Sequence, residues 1–211
     1  MSEFIDIILH IDIYLETLFS QIGIWIYVVL FLIVFSETGF VVTPFLPGDS
    51  LLFAVGALSS REFICPWSSF IILSLAATLG NTLNYHIGKY LGPKVFSKEN
   101  SLFFNKKHLQ TTAEFYEKHG AKTIIIARFL PIIRTFAPFV AGIGKMRYSK
   151  FQAYNIFSSL LWNGSFITLG YYFGNIPLVK QNFSIFILGI IIVSVLPSIW
   201  KAIEIKRSKK R

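Results

Sequence analysis

A single cysteine, Cys65, in 211 residues excludes an internal disulfide and any cysteine-based metal framework. Charge is scarce too: Asp, Glu, Lys and Arg make up 15% of the chain, where a soluble domain carries about 25%. The shortage is mainly of acids, 11 Asp and Glu against 20 Lys and Arg, which leaves a net charge of +9. Histidine occurs four times, at His10, His86, His108 and His119, and neither His-x-x-x-His nor His-Glu-x-x-His is present. That disfavours a zinc hydrolase, and neither a metal nor a cofactor is expected. What fills the chain instead is apolar, with 54% hydrophobic and 17% aromatic residues and a mean hydropathy of +0.59. Such a composition excludes a secreted disulfide scaffold, a coiled coil and a disordered tail, and points to an integral membrane protein.

Four stretches lack Lys, Arg, Asp, Glu and His altogether: Thr17 to Ser36, Phe63 to Tyr85, Phe151 to Val179 and Gln181 to Trp200. A bilayer core needs roughly 20 apolar residues, so each is long enough to cross. Basic residues gather between these runs and in the tail, where the positive-inside rule explains them without nucleic acid. The opening Met-Ser-Glu-Phe-Ile-Asp is acidic where a signal peptide would be basic, so no cleaved targeting segment is expected.

Residues 1–20 place Phe4, Ile7, Ile8, Ile11, Leu15, Leu18 and Phe19 at helical spacing, interrupted by Asp6, Asp12 and Glu16. The pattern predicts an acidic amphipathic helix at the membrane surface, its side undetermined. The run from Gln21 to Phe35 is followed by Ser36-Glu37-Thr38-Gly39 and then by Thr43-Pro44-Phe45-Leu46-Pro47-Gly48-Asp49, which cannot continue a regular helix. The apolar piece Ser50 to Ser60 is only 11 residues long before Arg61-Glu62. It is too short to cross, so residues near 21–60 predict a re-entrant hairpin.

A span is expected near 63–88, then a polar cytoplasmic segment over 89–122 with seven basic and three acidic residues and an amphipathic helix from Lys107 to His119. Residues 123–144 repeat the broken pattern: Arg128, Leu130-Pro131, Arg134, Pro138 and Ala141-Gly142 predict a second re-entrant hairpin. A further span near 151–179 precedes a last span and basic tail over 181–211, the tail carrying six basic residues and one acid. The fold class is therefore an all-α membrane protein with about three full transmembrane helices and two re-entrant hairpins. Counting crossings back from a cytoplasmic tail gives the hairpins opposite orientations, an inverted-repeat-like arrangement that marks midplane binding sites in transporters.

Glu37, Asp49, Arg128 and Arg134 are the ionisable residues inside the two broken segments. Each costs about 2.5–3.5 kcal/mol at a helix centre on insertion scales, so four together call for a role. Arginine keeps its charge and offers a fork of donors suited to phosphate, while a carboxylate in low dielectric can carry a proton. The bland alternatives are buried ion pairs, Arg134 with Glu37 or Arg128 with Asp49, and an N-cap role for Asp49. Gly39, Pro44, Pro47, Gly48, Pro131, Pro138 and Gly142 shape the hairpins. Gly170 and Gly174 form a small-xxx-small packing face. Trp25, Trp67, Trp162 and Trp200 read as interface anchors or packing. Asn81, Asn84, Asn155 and Asn163 read as interhelical hydrogen bonders, with Asn81 and Asn155 as candidates to line a polar path.

Glu37-Thr38-Gly39, Pro44 and Leu46-Pro47-Gly48-Asp49 resemble the first hallmark of the DedA family, whose shared region is also called the VTT or SNARE-associated domain. Arg128-Phe129-Leu130-Pro131 with Arg134, Pro138, Ala141-Gly142 and Met146 is similar to the second, and Phe151, Asn155 and Trp162 fall where such proteins carry Phe, Asn and Trp. The resemblance covers roughly Gly23 to Gly174. Where the family often has Gly-Asp, this chain has Gly80-Asn81, followed by Tyr85-His86-Ile87-Gly88. If that acid moves protons in relatives, the load here falls on Glu37 and Asp49.

The resemblance implies a lipid transporter, not an enzyme, in the bacterial cytoplasmic (inner) membrane, and the basic tail places the C-terminus on the cytoplasmic side. Its implied substrate is undecaprenyl phosphate, the carrier of cell-wall precursors, moved with possible proton coupling. The alternatives are a broader phospholipid flippase or scramblase, for example of phosphatidylethanolamine, and a structural protein supporting the envelope. Arg128 and Arg134 are then substrate-binding, and Glu37 and Asp49 proton-coupling. An intramembrane lipid phosphatase is disfavoured because the arginine segment lacks histidine. Partners reduce to the membrane lipid and protons, with no nucleic acid and with a homo-oligomer left open.

Overall fold

The computed structural model describes residues 21–40, 48–95 and 106–183, with 185, 186 and 189. Outside them lie the amphipathic helix expected over 1–20, Pro44 and Pro47, residues 96–105, and most of the last span with its basic tail. Among the described residues there is no strand. The helices are α1 (Trp25–Gly39), α2 (Gly48–Ser59), α3 (Pro66–Val95), α4 (Lys106–His119), α5 (Thr123–Ala127), α6 (Pro131–Ile143), α7 (Tyr148–Gly174) and α8 (Pro177–Gln181), with a 3-10 turn at Gly120–Lys122.

Among these residues no helix is long and apolar enough to cross a membrane. Length is not what falls short, since 30 residues of α3 extend about 45 Å. The shortfall is apolarity: Ser74, Asn81 and Asn84 on α3 and Asn155, Ser158, Ser159 and Asn163 on α7 are all buried. At 12 residues, α2 extends only about 18 Å.

The chain divides into two compact units, residues 1–29, 45–70 and 164–211 forming the first and residues 30–44 and 71–163 the second. In the first, α2 lies against the end of α7. A Cβ on Gly56 would strike the carbonyl of Ile167, one on Gly170 the carbonyl of Phe53, and one on Gly174 would come 3.0 Å from the Ala57 backbone. The small-residue face at Gly170 and Gly174 is therefore a helix contact. Arg61 ties the turn after α2 to the end of α8, donating to the Lys180 carbonyl at 2.9 Å and lying 4.7 Å above the Phe183 ring.

In the second unit, residues of α3 form the platform for α1 and α6. A Cβ on Gly80 would strike Thr38 Oγ1 of α1, and one on Gly88 the carbonyl of Phe139 on α6. Gly142 answers Gly88 from α6, meeting the backbone of Tyr85 and Lys89. Behind this contact Tyr85, Ile124, Ala141 and Phe151 form one apolar cluster, and Phe136 and Phe139 another. The amphipathic α4 packs on α6, where the Tyr116 hydroxyl donates to the Ala137 carbonyl at 2.9 Å.

The breaks differ in detail from expectation. Helix α1 runs on through Ser36, Glu37 and Thr38 to Gly39, so the first interruption comes later than the polar residues suggest. Thr38 is accommodated by donating back to the Val34 carbonyl at 2.9 Å. In the second segment the interruption is at 128–130: Leu130 is extended (φ −115°, ψ 104°), as the residue before a proline prefers, and Pro131 opens α6 with its φ already set. Pro138 does not end that helix but sits inside it. It withholds the amide that the Arg134 carbonyl would otherwise accept.

Candidate functional site

Glu37 lies in the last turn of α1 and Arg134 in the first turn of α6, and the two form an ion pair through Arg134 Nη2 and Glu37 Oε1. Glu37 is 1% exposed, so its charge is withdrawn from water and the pairing is what makes that tolerable. Their meeting follows from α3. Gly80, Asn84 and Gly88 recur every four residues and so share one face of that helix. Gly80 lets the end of α1 approach and Gly88 admits α6. Between them, Asn84 Nδ2 donates to the Thr38 carbonyl at 3.3 Å and to the Thr135 carbonyl at 2.9 Å, one residue beyond Glu37 and one beyond Arg134.

Arg128 is buried in the turn between α5 and α6. Its Nε donates to Ser158 Oγ at 3.3 Å, and its Nη2 to Ser159 Oγ and to Asn155 Oδ1, the latter at 3.4 Å. Asn155 also accepts from Asn81 Nδ2 at 2.9 Å and donates to the Thr78 carbonyl and to Gln152. Gln152 reaches Thr82 at 2.8 Å and the exposed Tyr148 at 2.6 Å. Asn81 and Asn155 thus belong to a continuous polar chain from Tyr148 to Arg128. Asn163 behaves otherwise, bonding the Ser159 carbonyl of its own helix.

Both arginines converge on one indole. The guanidinium carbon of Arg128 is 5.2 Å, and that of Arg134 5.1 Å, from the ring of Trp162, which is fully buried. Trp162 is therefore packing and no interface anchor, whereas Trp25 and Trp67 are exposed. Two cations held on one ring in a water-poor interior repel each other unless negative charge stands by, and Glu37 supplies one unit of it. An anion with several acceptor oxygens is the species this donor set fits.

Asp49 is described within the first unit, in the first turn of α2 and not at a cap before it. A carboxylate there complements the helix dipole. With Ser50, Phe53, Phe166, Ile185, Phe186 and Gly189 it lines a cavity of about 450 Å³ whose walls are mostly apolar. Gly48 opens α2, Gly39 closes α1 against Gly80, and Trp200 lies outside the described residues. No cluster of His, Cys, Asp and Glu among the described residues would hold a metal ion.

Residues 46–172 match the VTT domain family model. The chain is 52% identical over 209 residues to Protein DedA of Escherichia coli strain K12, covering 98% of this chain and 95% of that one. The chain belongs to the DedA family. Other DedA-like relatives are an uncharacterized membrane protein of Mycobacterium leprae, 43% identical over 85% of this chain and 80% of that one, and the Escherichia coli inner membrane protein YqjA, 37% identical over 75% and 71%. No solved structure matches. As a DedA family protein the chain is a membrane protein.

Asn84 is the interhelical hydrogen bonder expected of it, whereas Ser158, Ser159, Thr82 and Gln152 carry no role in the sequence pattern and Trp162 reads there only as an interface anchor or packing. Spacing held the signal: Asn155, Ser158, Ser159 and Trp162 recur at three- and four-residue steps on α7.

Proposed function

We propose that this DedA family protein carries a phosphate-headed lipid between membrane leaflets, with a polyprenyl phosphate such as undecaprenyl phosphate as substrate. The observation that carries the reading is the convergence of Arg128 and Arg134 on Trp162 with Glu37 paired to one of them. A phosphate head crossing hydrocarbon loses its hydration, and two guanidinium forks replace it while the isoprenoid tail stays in lipid. Arriving phosphate competes with Glu37 for Arg134, and a Glu37 released from its partner takes up a proton, which couples transport to a pH difference. Asp49 serves as a second proton carrier.

The proposed setting is the cytoplasmic membrane, with the segments around 21–60 and 123–144 as opposed re-entrant hairpins and the C-terminus cytoplasmic. The shortness of α2 and the break at Leu130 support the hairpins. The bond from Arg61 to the Lys180 carbonyl supports a shared side for those two turns. Labelling Lys107→Cys and Arg211→Cys in a Cys65→Ser background tests the topology, and opposite sides for the two would refute it.

Reconstitution in liposomes tests the function. Leaflet exchange of labelled polyprenyl phosphate should exceed that of labelled phosphatidylethanolamine. Equal rates would make the protein a broad scramblase, and no exchange of either would leave its charges a structural ion-pair network.

A further inference from the structure

Asn84 is fully buried, and its orientation is fixed, because only Nδ2 can donate to the two carbonyls of Thr38 and Thr135. The remaining atom, Oδ1, is a buried acceptor with no hydrogen-bond partner. A buried amide oxygen left unsatisfied is costly, and in a native interior it calls for an explanation. The position sharpens it. Asn84 bridges the two segments that bring Glu37 and Arg134 together, one residue from each, on the same α3 face as the glycines that admit them. An acceptor held rigidly between the backbone segments that carry Glu37 and Arg134 complements a ligand that has both acceptor oxygens and a hydroxyl.

We propose that Asn84 Oδ1 accepts a hydrogen bond from the P–OH of a phosphate monoester headgroup, so that this residue selects monoesters over diesters. The proposal rests on the phosphate-lipid reading of the Arg128–Arg134 site. A monoester has a second pKa near 6 and still carries a P–OH in part around neutrality, whereas a diester phosphate has none. The arginines, through charge alone, would favour the doubly ionised monoester and strengthen its advantage as pH rises. An acceptor oxygen favours the singly ionised form and weakens that advantage as pH rises. The two contributions have opposite signs. The titratable groups within two residues of Asn84 and of its two bonded carbonyls are Glu37 on α1, Arg134 on α6, and Tyr85 and His86 on α3. Glu37 is the rival acceptor for the same proton.

The experiment follows leaflet exchange of labelled phosphatidic acid, a monoester, and labelled phosphatidylglycerol, a diester, in proteoliposomes of the full chain at pH 6 and pH 8. Phosphatidic acid should be preferred by the parent at pH 6, with the ratio falling several-fold at pH 8. Asn84→Leu, which keeps the volume, and Asn84→Ala should both bring the pH 6 ratio to near that of the parent at pH 8. Lower overall rates in the variants with an unchanged ratio would make Asn84 a purely structural bridge and overturn the proposal. A slope with pH that survives in Asn84→Leu would assign the acceptor to Glu37 instead. Should neither variant fold, a parent ratio that is flat or rises from pH 6 to pH 8 overturns it alone. A parent that moves neither lipid nor polyprenyl phosphate refutes the phosphate-lipid reading itself, a different outcome from movement without discrimination.

Discussion

Gly88 of α3 and Gly170 of α7 occupy the same position in two helix pairs, each meeting the carbonyl of a phenylalanine, Phe139 in one and Phe53 in the other. The match extends to the facing glycines: Gly142 meets the Tyr85 carbonyl and the Lys89 amide, and Gly56 the Ile167 carbonyl and the Tyr171 amide, at the same offsets. Gly88 and Gly170 also stand equally far from the first residues of their helices, Pro66 and Tyr148. Each pair belongs to one unit, so the two units share a construction. In the aligned register Trp162 takes the place of Gly80 and Phe166 that of Asn84.

Gly88→Ala and Gly170→Ala should each destabilise the protein by about 1–3 kcal/mol, because the new methyl meets backbone that cannot step aside. Gly144→Ala, with φ −72° and no neighbour closer than 3.4 Å, is the neutral control. Thermal unfolding in detergent checks this, and equal midpoints for all three would show that the helices separate at little cost.

Trp162→Leu removes the ring that both guanidiniums approach, an interaction of roughly 2 kcal/mol each when desolvated. Transport of the phosphate lipid should fall at least tenfold while Trp162→Phe, which keeps a smaller ring, loses less. Indistinguishable rates for Leu and Phe in proteoliposomes would show that the indole only fills space.

Glu37→Gln and Asp49→Asn mimic the protonated carboxyls at nearly constant shape. At least one should keep lipid binding and lose the acceleration that an imposed pH difference gives the parent. A parent indifferent to the gradient would make the protein a passive scramblase, and Asn81 the first residue to replace by Asp.

Burial pushes the Tyr116 phenol well above its ordinary range. Below pH 10 the phenol is neutral folded or unfolded and contributes no slope. Above about pH 10 the unfolded chain releases this proton while the folded one retains it, so stability falls as pH rises. Tyr116→Phe should remove that part of the alkaline loss, at a cost of about 0.5–1.5 kcal/mol at neutral pH for the lost bond to Ala137. Unfolding midpoints between pH 8 and pH 11 check both signs.

The helices were legible because their signals are local. Pro131 announces its own N-terminal position and the extended Leu130 before it, and the amphipathic pattern of 107–119 gives α4 almost to the residue. The first break was read too early because a polar Ser36-Glu37-Thr38 looks like an interruption. In the fold Thr38 bonds back to Val34 and Glu37 finds Arg134. That partner lies 97 residues away, and no local rule supplies it. The same holds for Trp162, whose identity suggests an interface anchor or packing and whose place beside two arginines is a property of the assembled unit. Charges in apolar sequence did reveal Glu37, Arg128 and Arg134 individually, since their cost is visible without a structure.

In the proposed function Arg128 and Arg134 act as a phosphate clamp through guanidinium geometry. Lysine keeps the charge and loses the planar fork. Leaflet exchange of labelled polyprenyl phosphate in proteoliposomes, measured for the parent, Arg128→Lys and Arg134→Lys at matched protein content, tests it most directly. At least a tenfold loss is expected in each variant, with the protein still folded in the membrane. Parental rates in both would contradict it and leave Arg134 and Glu37 as a structural ion pair.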